Sequence, residues 1–218
     1  MKIKIDYLNR NILLGLVILI FIVLLIFSSS LLAKRSLFVW LLAIIQLGLI
    51  LRIFLKRTNK FISGFVGEKD IEIELKSLGE EFIRINGGLD TGRGNIDKIV
   101  LGPTGAWALE VKSHMGYITF DGNILLRNGK PFEKDFLKQA YAEAKTLEDL
   151  IRSKLNIEIK VQPVVVFSNK FAKVRLGRKP YKGVYVIRKE WLNKLITGTH
   201  NQALDNETIS KIKSALNF

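Results

Sequence analysis

The sequence predicts an α/β domain with a mixed central sheet flanked by helices, preceded by a two-helix transmembrane hairpin. Three observations predict it. Two long apolar runs stand near the start of the chain. After them, segments of helical and strand character follow in the order helix, strands, helix, strand, strand, helices. Val161 to Phe167 (VQPVVVF) is a near-continuous apolar run rich in valine, suited to a strand buried on both faces.

The first apolar run, Asn11 to Ala33, carries no charge and meets the length of about 20 residues that a membrane-spanning helix needs. The second, Ser36 to Leu51, is shorter, and Ile53-Phe54-Leu55 extends it past Arg52, whose head can snorkel to the interface. Spans at about 11–33 and 36–55 follow, joined by Lys34-Arg35. Basic residues flank the outer ends of the pair: Lys2, Lys4 and Arg10 before it, Lys56, Arg57 and Lys60 after it. This bias places both ends in the cytoplasm, with the protein integral to the cell (inner) membrane. A cleaved signal peptide fits poorly, because the run is long and a second one follows at once. The chain has no cysteine, which excludes disulfides, thiol nucleophiles and Cys-based zinc sites.

The expected division is a membrane anchor over 1–57 and a cytoplasmic domain over 58–218. The chain carries a formal charge of +14. Lys160 to Lys194 is its most lopsided part, with Glu190 the lone acid in it. Such a surface favours polyanions, either nucleic acid or the anionic lipid of the bilayer.

Thr58 to Gly67 reads as a linker and Gly67 to Leu78 as a helix. Phe82 to Ile85 reads as a strand, and Asn86 to Gly94 as a glycine-rich loop without the Gly-Lys-Ser/Thr ending of a phosphate loop. Asn95 to Lys112 reads as two strands about a Gly102-Pro103-Thr104-Gly105 turn. Gly116 to Phe120 and Ile124 to Arg127 form a second hairpin across Asp121-Gly122-Asn123. A helix follows over about Lys134 to Lys154, then the Val161 strand, whose Pro163 suits an edge. Gly183 to Ile187 is a further strand. Lys189 to Ile196 and Asn206 to Leu216 close the chain as helices, with Asn206 as the expected N-cap.

The chemistry concentrates in the first hairpin. If the chain reverses between Pro103 and Thr104, Asp97 stands opposite Glu110. Lys112 leaves the strand on the same face as Glu110, because side chains alternate. Two carboxylates and an ammonium then meet, which is equipment for metal-assisted phosphodiester cleavage. Magnesium, with manganese as its substitute, takes hard oxygen ligands and keeps several waters, so few carboxylates suffice. Asp97 and Glu110 would supply them, the backbone carbonyl of Val111 a third oxygen and Glu68 an outer one. Lys112 could orient a water or stabilise developing charge. Gln139 could hold a water or a phosphate. Each residue also has a plainer reading. The carboxylates can pair with Lys112 or Lys98 on a solvated face, Glu68 can favour a helix N-terminus, and Gln139 can be a surface residue. His114 and His200 read as loop or surface residues, and Trp107 as core.

These residues resemble the nuclease-related domain (NERD) family, a branch of the PD-(D/E)xK nuclease superfamily. The likeness rests on Gly67-Glu68, Ile96-Asp97, the Gly102-Pro103-Thr104-Gly105 turn, Glu110-Val111-Lys112 with Gly116, Gln139-Ala140 and the Val161 to Phe167 strand. The family often has Asn-Pro shortly before the glutamine, where this chain has Asp135-Phe136-Leu137-Lys138. The resemblance implies a restriction-endonuclease-like sheet. It also implies Asp97, Glu110 and Lys112 as active-site residues, magnesium as metal and DNA as the presumed substrate. A non-catalytic nucleic-acid-binding module, or a scaffold on the membrane surface, is the alternative on the same fold.

Overall fold

The computed structural model describes residues 15, 20, 22–23, 37–90, 95–177, 179–200 and 202–216. The chain divides into two compact units, Met1–Ser63 and Gly64–Phe218. The first expected span lies outside the described residues, apart from four helical positions. The second falls within a long helix α1 (Leu37–Leu75). Leu41, Ile44, Leu49 and Ile53 of that helix are exposed apolar side chains. Among the described residues, no helix is long and apolar enough to cross a membrane.

The expected linker at Thr58 to Gly67 is helical and belongs to α1. Nothing in it stops a helix. It has no proline, Gly64 and Gly67 each cost only about 1 kcal/mol, and the Thr58 hydroxyl bonds back to the Phe54 carbonyl at 2.9 Å.

The large sheet has the order β1 (Ile83–Asp90), β2 (Asn95–Gly102), β3 (Gly105–Lys112), β7 (Val161–Phe167), β9 (Tyr185–Arg188). The first three strands are antiparallel neighbours, whereas β3–β7 and β7–β9 are parallel. The mixed sheet expected from the sequence is present. Pro163 pairs with Ala108 on β3, while the β9 ladder begins only at Val164. The proline thus sits where β7 has no neighbour on its second side.

β1 is longer than expected and runs through most of the glycine-rich segment, with an irregularity between Asn86 and Leu89. Gly87 explains the close pairing. A Cβ there would lie 2.4 Å from the backbone oxygens of both Ile96 and Asp97.

A second sheet has the order β6 (Lys130–Pro131), β5 (Leu125–Arg127), β4 (Gly116–Phe120), β8 (Ala172–Val174). The expected hairpin across Asp121 to Asn123 forms its β4–β5 pair. Gly116, at φ +105°, turns the chain out of β3 into this sheet. Helices α2 (Phe136–Leu155), α3 (Leu192–Gly198, after a 3₁₀ turn at Lys189–Trp191) and α4 (Asn206–Ala215) complete the fold. The cap of α4 is Asp205 and not Asn206, because the Asp205 carboxylate accepts the Thr208 N–H at 2.7 Å.

Alternation along the strands sorts the core. Ile99, Leu101, Ala106 and Ala108 pack with Ala144, Leu147 and Ile151 of α2 and Ile209 of α4. Val100, Trp107 and Leu109 pack on the other face with Ile71 and Leu75 of α1 and Leu192 of α3. Trp107 is core, as expected. A third cluster joins Ile118, Leu125 and Ala172 of the small sheet to Phe136, Leu137 and Val165.

Candidate active site

The β2–β3 ladder pairs Gly102 with Gly105 and proceeds in register to Lys98 with Leu109. One step further along that register sets Asp97 across from Glu110. There the backbone pairing gives way to a side chain: the Val111 N–H donates to Asp97 Oδ2 at 2.8 Å. Lys98 is buried on the other side and donates to Asn86 Oδ1 at 2.9 Å. The ion pair is made by Lys112, whose Nζ donates to Glu110 Oε1.

Helix α2 covers this end of the sheet. Its start is fixed by Asp135, whose carboxylate accepts the N–H groups of Leu137 and Lys138 at 3.0 and 3.1 Å. Gln139 lies on the same face as the buried residues Phe136, Ala140 and Ala144. Its Nε2 donates to Glu110 Oε1 at 2.8 Å and to Glu143 Oε1 at 2.9 Å. Its Oε1 accepts from Lys112 Nζ at 3.4 Å. The Lys112 ammonium also stands 4.2 Å from the centre of the Phe136 ring, in cation–π range.

Asp97, Glu110 and Lys112 are therefore brought together, as the hairpin spacing suggested, and Gln139 joins them from helix α2. Glu143 joins them without having been anticipated. The available signal was its position four residues after Gln139 on an otherwise apolar helix face. That signal needed the knowledge that α2 packs over Glu110.

Glu68 lies well inside α1, not near a helix start as expected, because α1 begins at Leu37. Its charge still acts on Asp97. Gly67 explains how α1 comes so close. A Cβ at this position would fall 2.4 Å from Ser168 Oγ, and the Ser168 N–H in turn donates to the Lys112 carbonyl at 3.0 Å. His114 stacks against Phe132 and Phe136 with ring centres 5.2 and 5.5 Å away, and His200 is exposed.

Glu110 is only 3 % exposed. Burial pushes its carboxyl up to about 7; Lys112 opposes the rise and Glu143 adds to it. The Asp97 carboxyl is also pushed up to about 7, first by burial and then by Glu110. The Val111 N–H and Lys112 oppose this, and Glu68 adds to it. Glu143 is likewise raised by burial, against the Gln139 hydrogen bond.

Carboxylate oxygens are the donor type that a hard divalent cation takes. Glu110 and Glu143 are bridged by the Gln139 amide nitrogen, and Glu143 adds to the rise at Glu110. When both are ionised, Glu110 Oε2 and Glu143 Oε2 are buried with no hydrogen-bond partner among the described residues. Buried carboxylate oxygens in this state call for a proton or a cation. Among the described residues, no group of three or more His, Cys, Asp and Glu could hold a metal ion by itself. A carboxylate pair with retained waters is the arrangement magnesium accepts. Val111 enters the site through its N–H; its carbonyl remains an expected ligand only.

The fold and site define a class: an α/β domain with a half-buried Asp97, a buried Glu110, a lysine two residues after that glutamate and a helix glutamine. Residues 63–168 match the family model of the nuclease-related domain, NERD. This segment holds every site residue named above and ends at Ser168. Neither the curated proteins nor the solved structures give a significant match to the chain.

Proposed function

We propose that the chain is a membrane-anchored, metal-dependent nuclease that hydrolyses phosphodiester bonds in DNA. The observation that carries this reading is the convergence of Asp97, Glu110, Lys112 and Gln139 at one end of β3. A bound magnesium or manganese ion would neutralise phosphate charge and acidify a water. Asp97 and Glu110 are the residues that would hold it, with the Val111 carbonyl and Glu68 as further oxygens.

The protein's own groups prepare the site. The Val111 N–H fixes the Asp97 carboxylate on the Glu110 side of the sheet. Gln139 and Lys112 both bind Glu110 Oε1, which leaves Oε2 for another partner. The Lys112 ammonium supplies a positive charge beside the acids, where it can orient a water or meet charge developing on a phosphoryl group. The Phe132, Phe136 and His114 rings pack together at this end of the site, with Phe136 beside the Lys112 ammonium. The exposed apolar side chains of α1 between Leu41 and Leu55 support a tether in the cell membrane, with the nuclease domain in the cytoplasm.

Cleavage tests the reading. The detergent-solubilised full chain is incubated with end-labelled DNA and magnesium or manganese. Cleavage that disappears in Asp97→Asn and Glu110→Gln supports it. No cleavage with either metal, or equal cleavage by the variants, rejects it in favour of a binding module.

A further inference from the structure

We propose that the outer face of the small sheet binds a single nucleic-acid strand and leads it to the acidic site. This deepens the nuclease reading and rests on it for the destination of the strand. The inner face is occupied: Ile118, Leu125 and Ala172 pack into the third core cluster. The outer face carries the alternate residues. Met115 and Tyr117 belong to β4 and its approach, Phe171, Lys173 and Arg175 to β8 and its flanks, and all five are exposed. Tyr117 and Lys173 are direct cross-strand partners.

The aromatic rings and cations are interleaved. Tyr117 is 42 % and Phe171 61 % exposed, so part of each residue is open to solvent. Lys173 Nζ stands 5.0 Å and Arg175 Cζ 4.9 Å from the Tyr117 ring centre. Lys173 also donates to the Tyr117 hydroxyl at 3.3 Å. Lys170 Nζ is 5.0 Å from the Phe171 ring. From Ser168 to Val184 the chain has six basic residues and no acid. Nothing in that stretch neutralises the cations, so the face is complementary to a polyanion.

The aromatic rings decide which polyanion. A stacking ring needs a base whose π-face is accessible, which a single strand offers and an intact duplex does not. Lysine and arginine between such rings match the phosphates between successive bases. The face also begins beside the acids. The Ser168 N–H bonds to the Lys112 carbonyl at 3.0 Å, Asn169 Nδ2 to the Ser113 carbonyl at 3.1 Å, and the Gly116 N–H to the Phe171 carbonyl at 3.2 Å. These bonds tie the end of β3, where Lys112 stands, to the start of β4 and β8.

Fluorescence anisotropy on the detergent-solubilised full chain in EDTA tests the proposal, with a labelled oligo-dT of about 20 nucleotides and a duplex of equal length. Tyr117→Ala and Phe171→Ala are each expected to weaken strand binding about tenfold and duplex binding less than about twofold. Tyr117→Phe keeps the parental affinity, because the ring remains. Lys173→Gln combined with Arg175→Gln reduces the salt slope for the strand by about 1.4. Unchanged strand binding in both alanine variants overturns the proposal. So does an equal loss for duplex, or a loss confined to vesicles of phosphatidylglycerol and phosphatidylcholine. The two readings separate cleanly. A parent that never cleaves but loses strand binding through Tyr117→Ala removes the nuclease and keeps the strand site. A parent that cleaves while its Tyr117→Ala and Phe171→Ala variants bind strands unchanged does the reverse.

Discussion

Gln139 Nε2 lies 2.8 Å from Glu110 Oε1, and this bond joins helix α2 to the strand that carries the acids. The same nitrogen holds Glu143, so one amide organises two buried carboxylates. Gln139→Ala strips both of a donor. It is expected to destabilise the fold by about 1–3 kcal/mol, read by denaturant unfolding. Cleavage should fall as well, because Glu110 loses the contact that orients it. A change below about 0.5 kcal/mol would mean that the amide is incidental.

The acidic pair predicts an inverted pH dependence. Asp97 and Glu110 are both held up at about 7, so the folded state binds more protons than the unfolded state between about pH 4 and 7. Their contribution is fully present below the unfolded values and is lost as pH rises through about 7. In EDTA, the parent should therefore lose stability relative to Asp97→Asn/Glu110→Gln between pH 5 and 8. Magnesium should close that gap, and more so at pH 8 than at pH 5. Thermal melts across pH, with and without metal, check both statements. A gap that stays constant with pH contradicts them.

Lys112 opposes the rise at both acids. Lys112→Ala removes the ammonium from Glu110 and Gln139 together. The parent–variant stability gap should widen at high pH, where the acids are ionised. Cleavage should fall about 10²–10³-fold, as for loss of one well-placed charge-stabilising donor. Metal affinity, measured by titration calorimetry, should hold or rise, because a competing cation is gone. A fall in metal affinity would assign Lys112 to holding the acids in place.

Gly87 approaches β2 at Asp97 itself. Gly87→Ala sets a methyl group 2.4 Å from two backbone oxygens that cannot rotate away. The expected cost is about 1–3 kcal/mol, with a loss of metal affinity because Asp97 must shift. Gly67→Ala clashes with the Ser168 hydroxyl at 2.4 Å, while Ser113 Cβ and Ser168 Cβ stand at ordinary contact distance, so Ser168→Ala should restore its stability. Restoration of Gly67→Ala but not of Gly87→Ala by that second change is the outcome to look for.

The site was legible where a short turn sets register. Two residues between Gly102 and Gly105 leave little freedom, so Asp97, Glu110 and Lys112 could be placed from numbering alone. The core position of Trp107 was legible as well. Glu143 was not legible, because its role arises from α2 docking over β3, and periodicity within a helix does not say what the helix covers. The continuity of α1 through Thr58 to Gly67 was missed because polar composition was read as a break where no residue breaks a helix. The long β1 was missed because its glycines looked like a loop, although Gly87 is there to let two strands close in. The second sheet depends on β8 pairing with β4 across more than fifty residues, which no local pattern encodes.

The most direct measurement is the anomalous difference map of crystals of the full chain soaked in manganese. The account predicts a peak about 2.1 Å from a carboxylate oxygen of both Asp97 and Glu110, with Gln139 still bound to Glu110. A manganese-saturated crystal with no peak between those two residues would contradict it.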